Sequence, residues 1–127
     1  MIMNENALSK VVIGGAIEMH RQLRPGLLES AYEEYLAYEL NRRHIPSERQ
    51  KPIPVVYHEV HLDYGFRLDL LVDNLVVVEL KAVDELAPIH QAQMVTYLKL
   101  TGCKLGPLFN FNETKLRDGV KRVVSNL

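Results

Sequence analysis

Three charged residues stand where this sequence should be purely apolar. Asp69 interrupts FRLDLLV (66–72), and Glu79 and Lys81 interrupt VVVELKAV (76–83). Both stretches are rich in β-branched and aliphatic residues, the composition of buried strands. Side chains two apart on a strand share a face. Glu79 and Lys81 therefore project together beside Val77, while Val76, Val78 and Leu80 fill the other face. The same alternation puts Arg67, Asp69 and Leu71 on one face of the preceding strand, and Leu68, Leu70 and Val72 on the other. If the two carboxylates meet, they form an oxygen-rich site with an ammonium beside it. Such a site suits Mg²⁺ or Mn²⁺ better than zinc. Lys81 would neutralise charge there, hold a water, or stabilise a developing phosphorane.

Whether the acids meet depends on register. A two-residue turn at Asp73-Asn74 would pair Val72 with Leu75 and send Glu79 to the side of the sheet away from Asp69. A shift of one residue flips every side chain. A three-residue loop, Asp73-Asn74-Leu75, pairs Val72 with Val76 and sets Asp69 opposite Glu79. Asn tolerates the left-handed backbone such a loop needs, so the sequence predicts the odd-length loop. Two carboxylates about 4 Å apart repel by about 4 kcal/mol at an effective dielectric near 20. A shared proton, a nearby cation or a divalent metal must offset that. A lone E-x-K on a strand is more often a solvated salt-bridge face; the D…E-x-K arrangement across neighbouring strands favours a site.

Two helical segments bring further polar groups. In GLLESAYEEYLAYEL, steps of 100° from Leu27 give an apolar arc of Leu27, Ala31, Leu28, Tyr32, Leu36 and Leu40. Glu29 falls at the edge of this arc, Glu33 near its boundary and Glu34 on the solvated side. Burying a lone carboxylate costs several kcal/mol, which makes Glu29 a site candidate. Glu39 also lies in the arc, close enough to the helix end for its head to reach water. In PIHQAQMVTYLKLTG, His90, Gln93 and Tyr97 occupy a narrow sector with Ile89 and Leu100 beside it. Gln93 and Tyr97 are an i,i+4 pair. They can order a water or touch a phosphate, or serve as polar tips of a core helix.

The elements that must position these residues follow from periodicity. A helix is predicted over about Asn6 to Leu23, with Leu8, Val11, Val12, Ala16, Met19 and Leu23 at helical spacing. Arg24-Pro25-Gly26 interrupts it, and a second helix runs from about Leu27 to Arg43. Pro46, Pro52 and Pro54 mark an extended connection. Val55–Leu62, Phe66–Val72 and Val76–Lys81 read as strands. Pro88 starts a third helix and Gly102 ends it. Leu105–Phe111 is a fourth strand, and Val120–Val124 is either a short strand or a helix end. The order α-α-β-β-β-α-β gives an α+β fold, a central mixed sheet flanked by helices.

With 127 residues, 47% of them hydrophobic, the chain has the length of a single domain over 1–127 with one core. No apolar run approaches the roughly 18–20 residues of a membrane span, and MIMNENALSK lacks the pattern of a signal peptide. The lone Cys103 allows no internal disulfide and is expected to be a small buried apolar residue, which suits a reducing cytoplasm. A net charge of -1 is unlike a nonspecific nucleic-acid coat protein. His58 and His61 straddle opposite faces of the Val55–Leu62 strand, so they do not suggest a metal site.

Asp69, Glu79-Leu80-Lys81, Glu29 and Gln93-x-x-x-Tyr97 together resemble the PD-(D/E)XK nuclease superfamily. Gly26-Leu-Leu-Glu29-Ser-Ala-Tyr32 is similar to the signature of the small GxxExxY proteins placed in that superfamily, and the likeness extends to the PIHxAQ helix start and the GPLFNFN strand. Leu68 stands where the superfamily's name has proline. The resemblance implies a restriction-endonuclease-like core and Mg²⁺- or Mn²⁺-dependent hydrolysis of phosphodiesters. Asp69, Glu79 and the Leu80 carbonyl would hold the metal, and Glu29 would reach it through a water. Lys81 would position the attacking water. Gln93, Tyr97, Tyr32 and His90 would support the site or touch substrate. Nucleic acid, DNA or RNA, is the implied partner, and a domain this small would embrace a duplex as a homodimer. Two other classes stay open: a catalytically silent nucleic-acid-binding or regulatory module, and a homo-oligomeric interaction protein whose acids merely pair.

Overall fold

The computed structural model describes residues 3–127; the first two residues of MIMNENALSK lie outside it. Helix α1 spans Glu5–Leu23. Asn4 caps it by accepting the Ala7 N–H at 2.8 Å, and Glu5 adds negative charge to the first turn. Its buried side, Leu8, Val12, Ala16 and Met19, keeps the spacing of one helical face. Helix α2 spans Glu29–Arg42. It starts two residues later than the apolar periodicity predicts, so Leu27 and Leu28 lie outside it and are exposed, Leu28 by 76%. Gly26 has φ +111, a backbone that L side chains rarely adopt, and this holds the preceding residues as a loop.

Strands β1 (Ser47–Tyr57), β2 (Val60–Val72) and β3 (Val76–Lys81) follow, then helix α3 (Pro88–Thr101), strand β4 (Leu105–Asn110), a 3₁₀ turn at Leu116–Gly119 and strand β5 (Val120–Val124). Two readings of the sequence need correction. Val55–Leu62 is not one strand: it straddles the β1–β2 turn, where His58 has φ 52. His58 and His61 therefore belong to a hairpin tip rather than to a single strand. Pro52 and Pro54 lie inside β1 rather than in a connection. Proline lacks the ladder donor and is tolerated in β1 because β1 is an edge strand. The ambiguous tail resolves as a strand, with β5 pairing antiparallel to β4.

The sheet order is β1-β2-β3-β4-β5, with β3 and β4 parallel and the other neighbours antiparallel. Helices α1 and α2 bury Leu8, Val12, Ala16, Tyr32, Leu36 and Leu40 against Leu70, Val72, Val76, Val78 and Leu80 on one face. Helix α3 buries Met94 and Leu98 against Leu71, Val77 and Leu108 on the other. Gly106 permits that second contact, since a Cβ there would meet Met94 Sδ and the Val77 carbonyl, each at 2.7 Å. Cys103 is only partly buried at the margin of this cluster. No helix among the described residues is long and apolar enough to cross a membrane.

Candidate functional site

The β2–β3 loop has the odd length that the site needs. Asp73 and Asn74 adopt left-handed backbones, φ 50 and 56, and the Leu75 N–H closes onto the Val72 carbonyl at 3.0 Å. Val72 pairs with Val76, Leu71 with Val77 and Leu70 with Val78, and there the ladder stops. The next two residues are Asp69 and Glu79. The Asp69 N–H donates to Glu79 Oε2 at 2.7 Å, and the Leu80 N–H donates to Asp69 Oδ2 at 2.9 Å. Each acid is thus fastened to the backbone of the other strand.

The opposite side of β2 is irregular at the same point. Pairing with β1 passes from Arg49–Leu70 to Lys51–Leu68 and skips Gln50 and Asp69, and Gln50 has φ 50. Strict alternation fails here. Leu68 packs with Leu71 against α3, while Leu70 and Val72 face α1 and α2. The assignment of Leu68, Leu70 and Val72 to one face is therefore corrected, because the backbone turns over at Asp69.

Charge and burial combine to hold protons on the pair. Burial pushes the Glu79 carboxyl up to about 8, reinforced by the negative charge of Asp69 and opposed by the Asp69 N–H and Lys81. Burial also raises Asp69, and the Leu80 N–H opposes it. Asp69 Oδ1 and Glu79 Oε1 take no partner in these bonds, and Ser9 Oγ is the one buried side-chain polar atom without a partner among the described residues. Neither free oxygen is therefore fully sealed from solvent. Lys81 is half-buried, belongs to no ion pair among the described residues, and accepts the Phe111 N–H on its carbonyl at 2.8 Å. Buried Asn110 pins the chain just beyond it, bonding both the N–H and the carbonyl of Val83.

Among the described residues, no three His, Cys, Asp or Glu side chains converge as a group that could hold a metal ion. Two carboxylates do converge. Their hard oxygen donors fit a cation that keeps most of its waters, as Mg²⁺ does, once the proton is displaced.

Helix α2 contributes differently from expectation. Glu29 is its first residue and is exposed. The buried acid is Glu33, exposed by 6%. It accepts Arg49 Nε at 3.2 Å, Arg49 Nη2 at 3.0 Å and Gln50 Nε2 at 2.5 Å. The later helix start explains the change. Glu33 precedes Leu36, Ala37 and Leu40 by three, four and seven residues, the spacing of a buried stripe, and that signal was present in the sequence. Both acids still act on the pair, since the charges of Glu33 and Glu29 raise Asp69 and that of Glu33 raises Glu79. Arg49 and Gln50 carried no signal, because they fell in a stretch read as a connection. Glu39 is held by Arg42 and Arg43 at 3.1 Å each. Glu33→Ala leaves Arg49 its second partner, Glu34 at 2.7 Å, and leaves Gln50 to solvent, so it is expected to destabilise the fold by only about 0.5–1.5 kcal/mol in denaturant titration.

Tyr32 is fully buried away from the acids. Its hydroxyl donates to the Arg24 carbonyl at 2.7 Å and accepts the Leu27 N–H at 3.1 Å, and its ring stacks on Phe111 at 4.6 Å. It staples the loop that delivers Glu29. Tyr32→Phe orphans both backbone groups and should cost about 1–3 kcal/mol by the same titration.

Helix α3 sets Tyr97 beside the pair. Its ring stacks on Phe66 at 4.5 Å and 4°. Burial raises its hydroxyl pKa, and the charges of Glu79 and Asp69 add to that. Gln93 lies one turn earlier, half-buried. His90 accepts the Ala87 N–H on Nδ1 at 3.0 Å and so caps the helix. Ile89 and Leu100 are exposed, not packed beside the stripe.

The profile of the PD-(D/E)XK nuclease superfamily matches residues 6–123. Among curated proteins and solved structures no match is found. The match covers every element from α1 to β5, and the mixed five-stranded sheet flanked by helices is consistent with a restriction-endonuclease-like fold. The chain belongs to the PD-(D/E)XK nuclease superfamily.

Proposed function

We propose that this protein hydrolyses phosphodiester bonds of nucleic acid, DNA or RNA, with Mg²⁺ or Mn²⁺ as cofactor. The observation that carries this reading is the reciprocal fastening of Asp69 and Glu79, which leaves one oxygen of each not fully sealed from solvent, beside an unpaired Lys81. Asp69, Glu79 and the Leu80 carbonyl would hold the cation, and the exposed Glu29 would add its charge to the site. When bound, a divalent cation supplies Lewis-acid charge to the phosphate and lowers the pKa of water. Lys81 orients the attacking water and offsets charge that develops on the phosphate. Gln93 and Tyr97 border the substrate, Tyr32 holds the Glu29 loop, and His90 keeps α3 in place.

The test is cleavage of single- and double-stranded DNA and RNA with Mg²⁺, Mn²⁺ or EDTA. Metal-dependent cutting by the wild type is expected. Metal-independent binding without cutting would favour a silent nucleic-acid module. The two-stranded β1–β2 arm exposes Tyr57, Val60, Leu62 and Tyr64, and we assign it the contact of a homodimer, which sedimentation of Leu62→Asp against wild type checks. A single Cys103 with no disulfide partner fits a cytoplasmic location.

A further inference from the structure

A second concentration of charge lies between the end of α1 and the β4–β5 connection. A cavity of about 430 Å³ is lined by Ile17, His20, Arg21, Arg24, Thr114, Lys115, Leu116 and Arg117. Four of these residues are Lys or Arg and none is acidic. The protein as a whole is slightly acidic, with 15 basic and 16 acidic residues. Arg21 has a solvated partner in Glu18, whereas Arg24, Lys115 and Arg117 belong to no ion pair among the described residues. Gathering unpaired cations around one cavity raises their mutual repulsion, and an anion relieves it.

The backbone of Arg24 adds a separate observation. It has φ 69 and ψ 170, a region almost confined to glycine that costs about 1–3 kcal/mol for other residues. The Tyr32 hydroxyl on its carbonyl and its own N–H on the His20 carbonyl, at 2.8 Å, hold it there. Glycine would suit the backbone better, yet the residue present is an exposed arginine that lines the same cavity as three other cations.

Two covalent or hydrogen-bonded paths lead from the cavity toward the residues around the carboxylate pair. His20 Nε2 bonds the Phe111 carbonyl at 3.0 Å, and the N–H of the same Phe111 bonds the Lys81 carbonyl. Arg24 is also only five residues before Glu29. That chain spans at most about 18 Å, or about five phosphates at the 3.4 Å spacing of one duplex strand.

We propose that Arg21, Arg24, Lys115 and Arg117, with the Thr114 hydroxyl, form a phosphate-binding subsite that grips the substrate strand a few nucleotides from the bond to be cut. This rests on the nuclease reading for its substrate but is tested without cleavage. The phosphate is either a strand terminus or an internal backbone phosphate. The guanidinium groups suit either through paired N–H donors.

The experiment is fluorescence anisotropy in EDTA. It uses short single-stranded DNA and RNA, labelled at the 3′ end and carrying a 5′-phosphate or a 5′-hydroxyl. Lys115→Glu with Arg117→Glu is expected to weaken binding at least tenfold and to flatten the slope of log affinity against log salt by about 0.7 per lost phosphate contact. Arg24→Gly should weaken binding severalfold while raising the melting temperature, a combination that a merely structural role would not give. Inorganic phosphate should compete with the wild type alone. A preference for the 5′-phosphate that vanishes in the variants identifies a terminal phosphate, and equal affinity for both strands identifies an internal one. Unchanged affinity and salt slope in the variants overturns the subsite. An equal loss in Lys99→Glu with Lys104→Glu, which makes the same charge change elsewhere, overturns it too. Wild-type binding that fails in the cavity variants, together with no metal-dependent cleavage, would retain the subsite and sink the nuclease.

Discussion

If the protein cuts nucleic acid as proposed, Lys81→Ala is expected to lower the metal-dependent rate by about 10²–10³-fold and barely to change the melting temperature. Lys81 is half-buried and belongs to no ion pair, so its loss strands no partner. Its ammonium stands beside two carboxylates and lowers the pKa of both, so charge on that side chain is felt at the reacting phosphate. Glu79→Ala is expected to abolish cutting altogether and to weaken Mn²⁺ binding, since half of the carboxylate pair is gone. Cleavage rates paired with thermal unfolding check both variants. A Lys81→Ala enzyme that cuts at the wild-type rate would remove Lys81 from the chemistry.

The second large effect is a stability that declines as pH rises. Glu79 titrates near 8 in the fold against an ordinary value of 4.5. The folded protein therefore holds a proton there across the window from about 4.5 to 8, where the unfolded chain has released it. Stability then falls as pH increases through that window and levels off above 8. Asp69 is shifted in the same sense. Without metal, melting temperature should drop from about pH 5 to pH 8, and Glu79→Gln should flatten the slope. Binding of Mn²⁺ must displace the proton, so its affinity should climb up to about tenfold per pH unit below pH 8. Titration calorimetry at several pH values reads this. A melting temperature that rises with pH over the same range would contradict the proton-holding pair.

Much of this arrangement was legible from residue type and spacing. The three-residue loop followed from the need to place Asp69 and Glu79 on one side, and the register Val72–Val76 has that form. The helices were found by period, and Asn4 and Gly102 lie at their ends. The misreadings share a cause, which is tertiary structure overriding local pattern. Pro52 and Pro54 mark a loop in most chains, yet an edge strand admits them. Leu27 and Leu28 extend the apolar period of α2, yet the Tyr32 hydroxyl bonds the Leu27 N–H and the Arg24 carbonyl and holds the Gly26 loop out of the helix. Glu33 looked peripheral because Leu27 and Leu28, which lie outside the helix, were counted into the apolar arc and drew its centre away from Glu33. Tyr32 was read as supporting the site or touching substrate, and the structure places its hydroxyl on the Arg24–Leu27 loop that precedes Glu29.

The sheet runs in chain order from β1 to β5, which has a consequence for how the molecule assembles. Asp69 and Glu79 are joined by a hairpin of only ten residues' separation, and such hairpins close in roughly 1–10 μs. The acids can therefore find each other before the rest of the domain exists. The β3–β4 pair is different, because its parallel strands must wait for α3 to cross over. The β3–β4 pairing is thus expected to form after the β2–β3 hairpin, so the carboxylates meet before Phe111 fastens the backbone of Lys81.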